Sequence, residues 1–294
     1  MTKQHPTPQD TAESLPPMWS WQEFMDRARA PDSIENGDGR HYPNNEWAGG
    51  SWEEALRLAE DGWTTVLPEV DAEVAELRER VADEVVTTSL VPAWDVTGSE
   101  VDVGVYLSGT PECMVDAVPQ RMSARGRVVT FLIPTGYNNK TPHSAVHNRG
   151  VALAALCSAI IATGHSVEIW SGFCTYVTDT DRFASVARVI SPAEPFDTAR
   201  LMYVMAHPTM LRRLWFAAWD SAPEPVARRM YDNNYGYAPY DCYPEDLPDT
   251  LTSTLTDAYI LPFLSPKDSQ WESLDSALQW CREMFAGLGL LREP

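Results

Sequence analysis

His207, Pro208, Arg212 and Arg213 have the residue types and spacing best suited to chemistry in this chain. A helix opened by Pro208 and running through MLRRLWFAAWD would set unpaired amides beside an imidazole and two guanidinium groups, an arrangement that favours a bound anion. The ordinary alternative is that these arginines pair with the many carboxylates of an acidic chain. Asn148 and Arg149 invite the same two readings, with Asn148 as a helix cap and Arg149 either facing a ligand or pairing with an acid at the end of a sheet. The polar turn Thr135, Gly136, Asn138 and Asn139 completes the set, so Thr135, Gly136, Asn138, Asn139, Arg149, His207 and Arg212 are the candidate anion- or ligand-binding residues. Tyr231, Tyr235, Tyr237, Tyr240 and Tyr243 are the candidate partner-binding residues, because aromatic side chains supply large contact area at low entropic cost.

Other constellations carry less. His143 and His147 stand four apart, but Pro142 precedes them and no glutamate follows the first, so they read as loop histidines rather than a helical zinc site. Asp179 and Asp181 read as turn residues. There is no phosphate-binding Gly-x-x-x-x-Gly-Lys loop, dinucleotide fingerprint or Gly-x-Ser-x-Gly elbow. No catalytic residue, metal or cofactor is assigned.

The elements that must position these residues centre on 127–172. Val128 to Ile133 is an apolar, β-branched run that ends in turn formers. Asn148 heads an Ala/Leu/Ile helix running to about Thr163, closed by Gly164, and Val167 to Trp170 resumes strand composition. A strand, helix and strand in this order predict a βαβ unit. Upstream, Ser51 with Glu54 forms a capping box for a helix ended by Gly62, and a second helix is predicted over 68–84. Val85 to Trp94 and Asp102 to Tyr106 read as strands. Downstream, Ser185 to Ile190 reads as a strand, Phe196-Asp197 opens a helix, Tyr259 to Phe263 is a last strand and Trp271 to Leu288 a last helix. The expected fold is α/β, a mostly parallel central sheet flanked by helices, with an N-terminal helical appendage. Residues 1–46 form a tail and irregular lead-in, 47–90 a helical region, and 91–294 the α/β domain with an irregular aromatic insertion at 221–256.

The 294 residues carry 42 acidic against 22 basic side chains, a formal net charge of −20. Such a balance argues against broad nucleic-acid binding, whose affinity grows with the number of cations meeting phosphates. Five scattered cysteines without a CxxC pair indicate neither a disulfide framework nor a zinc knuckle, and no long uninterrupted apolar run marks a membrane segment. A cytoplasmic protein without a membrane partner is expected.

VVTFLIPTGYNN followed by RGVALAALCSAIIATGHSVEIWSG resembles a von Willebrand factor A-like domain, which implies a Rossmann-like sheet. In that family a carboxylate and two hydroxyls of the loop after the first strand hold a metal. Pro134, Gly136 and Asn138 occupy those positions here, and none offers a carboxylate, so the resemblance implies a degenerate metal-site loop. RGVALAALCSAIIATGHSVEI, MAHPTMLRRLWFA and LSGTPECMVD also resemble segments of an uncharacterised family of actinobacterial and phage or mobile-element proteins. Together these readings predict a non-enzymatic interaction or assembly module with an unidentified protein partner. The alternative is an enzyme or anion-binding protein whose site lies at the carboxyl ends of the sheet strands.

Overall fold

The computed structural model describes residues 13–72, 75, 88–121, 127–137, 140–162, 164–177, 182–237, 255 and 258–287. In chain order the elements are β1 (Glu13–Ser14), α1 (Trp21–Arg29), α2 (Asp38–His41), α3 (Asn45–Ala48), α4 (Trp52–Asp61), β2 (Thr88–Asp95), β3 (Glu100–Val101), α5 (Val103–Leu107), β4 (Met114–Arg121) and β5 (Val128–Pro134). Then follow α6 (His143–Ala162), β6 (Ser166–Tyr176), β7 (Arg182–Ile190), α7 (Thr198–Ala206), a π-helical turn (Met210–Trp215), α8 (Phe216–Asp220), α9 (Glu224–Asp232), β8 (Tyr259–Ile260) and α10 (Leu274–Gly287).

The main sheet has the order β1-β7-β6-β5-β8. β5 pairs in parallel with β6 on one side and β8 on the other, and β5–α6–β6 is a parallel βαβ unit. β6 and β7 run antiparallel from Ile169/Ile190 to Tyr176/Arg182. A second sheet, β2-β4-β3, is antiparallel throughout. The expectation of a mostly parallel, von Willebrand A-like or Rossmann-like central sheet is therefore corrected to a mixed sheet with antiparallel pairing at its core. The reason lies in chain length: only residues 177–181 join β6 to β7, far too few for the crossover that a parallel neighbour requires.

Alternation along the strands buries both faces of the main sheet. Val129, Phe131 and Ile133 of β5 join the larger core with α6, α7 and α8, whereas Leu132, Trp170, Cys174, Ala184 and Val186 form a smaller core with Leu255 and Phe263 on the opposite face. Helix α6 is apolar all round and buried along most of its length, as befits a helix surrounded by sheet, α7 and α10. Its length and composition would also suit a membrane span, but 72% of that window is buried inside the protein, which marks it as a core helix. It starts at His143, earlier than Asn148, because the Pro142 carbonyl accepts from the amides of Ala145 and Val146. Asn148 consequently sits inside the helix, and its Nδ2 donates to the Trp271 carbonyl at 3.1 Å.

Local signals act where they were read. Ser51 Oγ accepts from Glu54 N at 3.1 Å, and Gly62 ends α4 with φ +74°. Three other expectations are corrected. Asp102 to Tyr106 is not a strand, because Asp102 Oδ1 accepts from Gly104 N and Val105 N and so caps the short helix α5. The insertion at 221–256 is not irregular throughout, since it contains α9. The last strand stops at Ile260, short of Pro262, which has no amide hydrogen for a ladder. Of the helix predicted over 68–84, 68–72 and 75 are helical, while 73–74 and 76–84 lie outside the described residues, as does 1–12 of the expected tail.

Candidate functional site

At the carboxyl end of β5 the chain passes through Pro134, Thr135, Gly136 and Tyr137. Thr135 is stitched to the neighbouring strand: its amide and its hydroxyl both donate to the Gly172 carbonyl, at 2.9 and 3.0 Å. Ser171 Oγ lies 3.5 Å from the Thr135 hydroxyl and accepts from Trp215 Nε1 at 3.1 Å. Thr135 and Gly136 are buried and set the strand end in place. Asn138 and Asn139 lie outside the described residues.

Arg149 enters this region from the second turn of α6 and is wholly buried. One of its terminal nitrogens donates to the Pro134 carbonyl at 3.0 Å, while its Nε and its other terminal nitrogen have no hydrogen-bond partner among the described residues. Burial draws its pKa down to about 10, with Tyr137 and Asp268 acting in the opposite direction. The buried Tyr137 hydroxyl also lacks a partner. Burial raises its pKa, opposed by the positive charges of Arg212 and Arg149. Arg212 stands 5.7 Å from the Tyr137 ring centre, so the charges of two guanidinium groups act on one tyrosine.

Arg212 and Arg213 meet backbone carbonyls rather than carboxylates. Arg212 donates to the Trp47 carbonyl and lies 4.5 Å over the Trp47 ring. Arg213 donates to the carbonyls of Gly50 and Tyr42, each at 3.1 Å, and to Asn45 Oδ1 at 2.7 Å. These two side chains of the π-helical turn fasten the segment around α3 to the body.

His207 belongs to a different neighbourhood. It ends α7, its Nδ1 lies 2.9 Å from Thr209 Oγ1, and its ring meets Trp63 edge-on at 4.9 Å. Burial lowers its pKa to about 4, which keeps the ring neutral. His143 and His147 are helical rather than loop residues, and His147 Nε2 reaches the Glu69 carboxylate at 3.1 Å. Among the described residues no three His, Cys, Asp or Glu side chains are grouped to hold a metal ion.

The tyrosines divide. Tyr235 is only 3% exposed and is an internal residue; Tyr231 and Tyr237 are exposed, Tyr237 by 78%. Tyr240 and Tyr243 lie outside the described residues, as do Asp179 and Asp181.

A larger exposed apolar surface lies elsewhere. Trp94 and Val101 of the β2-β4-β3 sheet, Val96 of the turn between β2 and β3, and Val103, Tyr106 and Leu107 of α5 are exposed, Leu107 by 78%. Trp94 is held by its Nε1, which donates to Asp102 Oδ2 at 3.1 Å. Between 88 and 120 the chain has five acids, Asp95, Glu100, Asp102, Glu112 and Asp116, and no lysine or arginine. Sequence reasoning passed over this arm because its apolar residues alternate with turn and acidic residues as half-buried strands do. The missing bases were the available signal.

The fold and these surfaces define an α/β protein with a mixed sheet, a buried cationic strand end and an acidic, apolar arm. Its sequence matches a domain of unknown function, DUF7192, over residues 3–292, and the chain belongs to that family. No curated protein and no solved structure matches it.

Proposed function

We propose that this protein is a non-enzymatic interaction or assembly module, and that it engages its partner through the arm at 88–121 rather than through the tyrosines of the 221–256 insertion. The observation that carries this reading is the exposure of six large apolar side chains between Trp94 and Leu107 in a stretch, 88–120, that has five acids and no lysine or arginine. Contiguous exposed apolar surface with a charged rim is characteristic of interaction sites. The five acids of the same stretch specify the partner's chemistry: a protein surface with apolar pockets accompanied by Lys or Arg. A second copy of this chain, itself at −20, fits poorly. Tyr235 cannot serve as a contact without leaving its place against Phe216. The likeness of 107–116, 149–169 and 205–217 to segments of phage and mobile-element proteins suits an assembly role. Free, buried Cys157, Cys174 and Cys281 suit a reducing, cytoplasmic setting.

The test compares wild-type protein with a Trp94→Ser, Tyr106→Ser, Leu107→Ser variant, by affinity capture from host extract followed by hydroxyl-radical footprinting of the complex. Expected are salt-sensitive capture of a basic protein, protection of Trp94 and Tyr106, and loss of both in the variant. Capture that survives the three substitutions with protection elsewhere overturns the assignment. Ultracentrifugation showing a dimer broken by the same substitutions overturns the choice of partner.

A further inference from the structure

Arg149 presents a physical problem that the rest of the fold does not solve. A guanidinium has five N–H donors in a planar fork. Here it is fully buried, yet among the described residues its only hydrogen bond is to the Pro134 carbonyl, and it forms no ion pair. Burying a cation without a counter-charge or a full set of acceptors is strongly unfavourable, so a structure that retains one has a use for the charge. The carboxylate whose charge acts on it, Asp268, accepts from Ser265 N at 2.8 Å.

The geometry of the donor is informative. The nitrogen bonded to Pro134 carries two hydrogens, one on each of the two forked edges that it shares. Whichever hydrogen Pro134 takes, one two-pronged edge stays complete, made by the other hydrogen with either Nε–H or the second terminal nitrogen. Such an edge matches two oxygens of a carboxylate or phosphate. Three residues beyond Pro134, the Tyr137 hydroxyl is buried and has no hydrogen-bond partner among the described residues, and Arg212 stands 5.7 Å from the centre of its ring. The Thr141 hydroxyl, just ahead of α6, is a further buried group without a partner. The Arg149 contact at Pro134 and the Tyr137 that follows it mark the carboxyl end of β5, a strand flanked by its two parallel neighbours β6 and β8, where open sheets commonly receive ligands.

We infer that the carboxyl end of β5 is a binding site for a small oxyanion, a phosphate group or a carboxylate, gripped by the free edge of Arg149 with the Tyr137 hydroxyl as a second donor and Arg212 supplying long-range attraction. The site is separate from the arm and does not depend on it.

The experiment is a thermal-unfolding titration of the full chain with inorganic phosphate and, separately, acetate, each against sodium chloride at equal ionic strength. A ligand bound only by the folded state raises the midpoint saturably. Such a rise is expected with one of the two anions and absent with chloride; which anion gives it distinguishes phosphate from carboxylate. Arg149→Met, an apolar replacement of similar length, should abolish the rise. Tyr137→Phe should raise the half-saturating concentration about fivefold, the equivalent of one hydrogen bond. If Arg149→Met does not fold, Tyr137→Phe decides alone. Exposed Arg228→Met should titrate as wild type. Equal responses to both anions and chloride in the wild-type protein, or a rise unchanged in the variants, overturn the inference.

Discussion

Tyr235 Oη donates to Asp220 Oδ1 at 2.6 Å while the Tyr235 ring lies flat on Phe216, with centres 3.8 Å apart and planes 4° from parallel. The same hydroxyl accepts from Asp38 N at 3.1 Å, and Asp220 Oδ2 accepts from Gly39 N at 3.0 Å. One tyrosine beyond the end of α9 thereby joins α2, α8 and α9. It does so with a left-handed backbone, φ +59°, a conformation that costs a non-glycine residue energy which these contacts must offset.

Replacing Tyr235 by Phe keeps the stacked ring and removes the hydroxyl, leaving the Asp38 amide and Asp220 Oδ1 each short of a partner. A loss of about 2 kcal/mol is expected. Tyr235→Ala also removes the ring and should cost about 4 kcal/mol. Urea unfolding midpoints of the three proteins provide the measurement, and equal midpoints for Phe and Tyr would show that the hydroxyl contributes nothing.

Asp220 couples this junction to pH. Burial raises its pKa to about 7, against the hydrogen bonds from Tyr235 and Gly39, with Asp32 and Asp38 adding to the rise. A folded-state pKa above the unfolded value means the native protein holds a proton that the unfolded chain releases. The contribution is fully present below about 3.8 and is lost as pH rises through about 7. A shift of this size corresponds to about 4 kcal/mol at most. Asp220→Asn should flatten the stability profile between pH 4 and 7, as read from denaturant unfolding at each pH.

His207 works in the opposite sense. Its folded pKa, about 4, lies below the ordinary value of 6.5, so the unfolded chain takes up a proton before the native one. Stability from this residue is present above pH 6.5 and lost as pH falls through about 4, by about 3 kcal/mol. His207→Gln should remove that acid-side loss. An unchanged acid limb in the variant would mean that the ring gains a proton in place.

Gly39 lies where α2 crosses α8, and a Cβ added there would come 2.2 Å from Ala217 N and 2.5 Å from Ala217 Cα. Backbone cannot yield as a side-chain end can. Gly39→Ala should cost about 3 kcal/mol. Circular-dichroism melting checks it, with Gly287→Ala at the end of α10 as a comparison for a glycine in open space.

The sequence by itself determined the features that arise within a few residues of one another. Ser51 and Gly62 bound α4, and the runs around 128–133 and 167–170 flank an apolar helix, because capping and periodicity act over one or two turns. The five-residue link between β6 and β7 also contained the antiparallel return, and composition alone concealed it. The tertiary structure decided the rest. Arg212 and Arg213 find their acceptors in residues 42–50, more than 160 positions away, and Tyr235 finds Asp38 across nearly 200. No local pattern records such pairings, since the burial that makes them necessary exists only once distant segments meet. Arg149 shows the same division. Its charge beside an apolar helix was plain in the sequence, but whether it faced an acid, solvent or a sealed strand end depended on how α6 settled against β5.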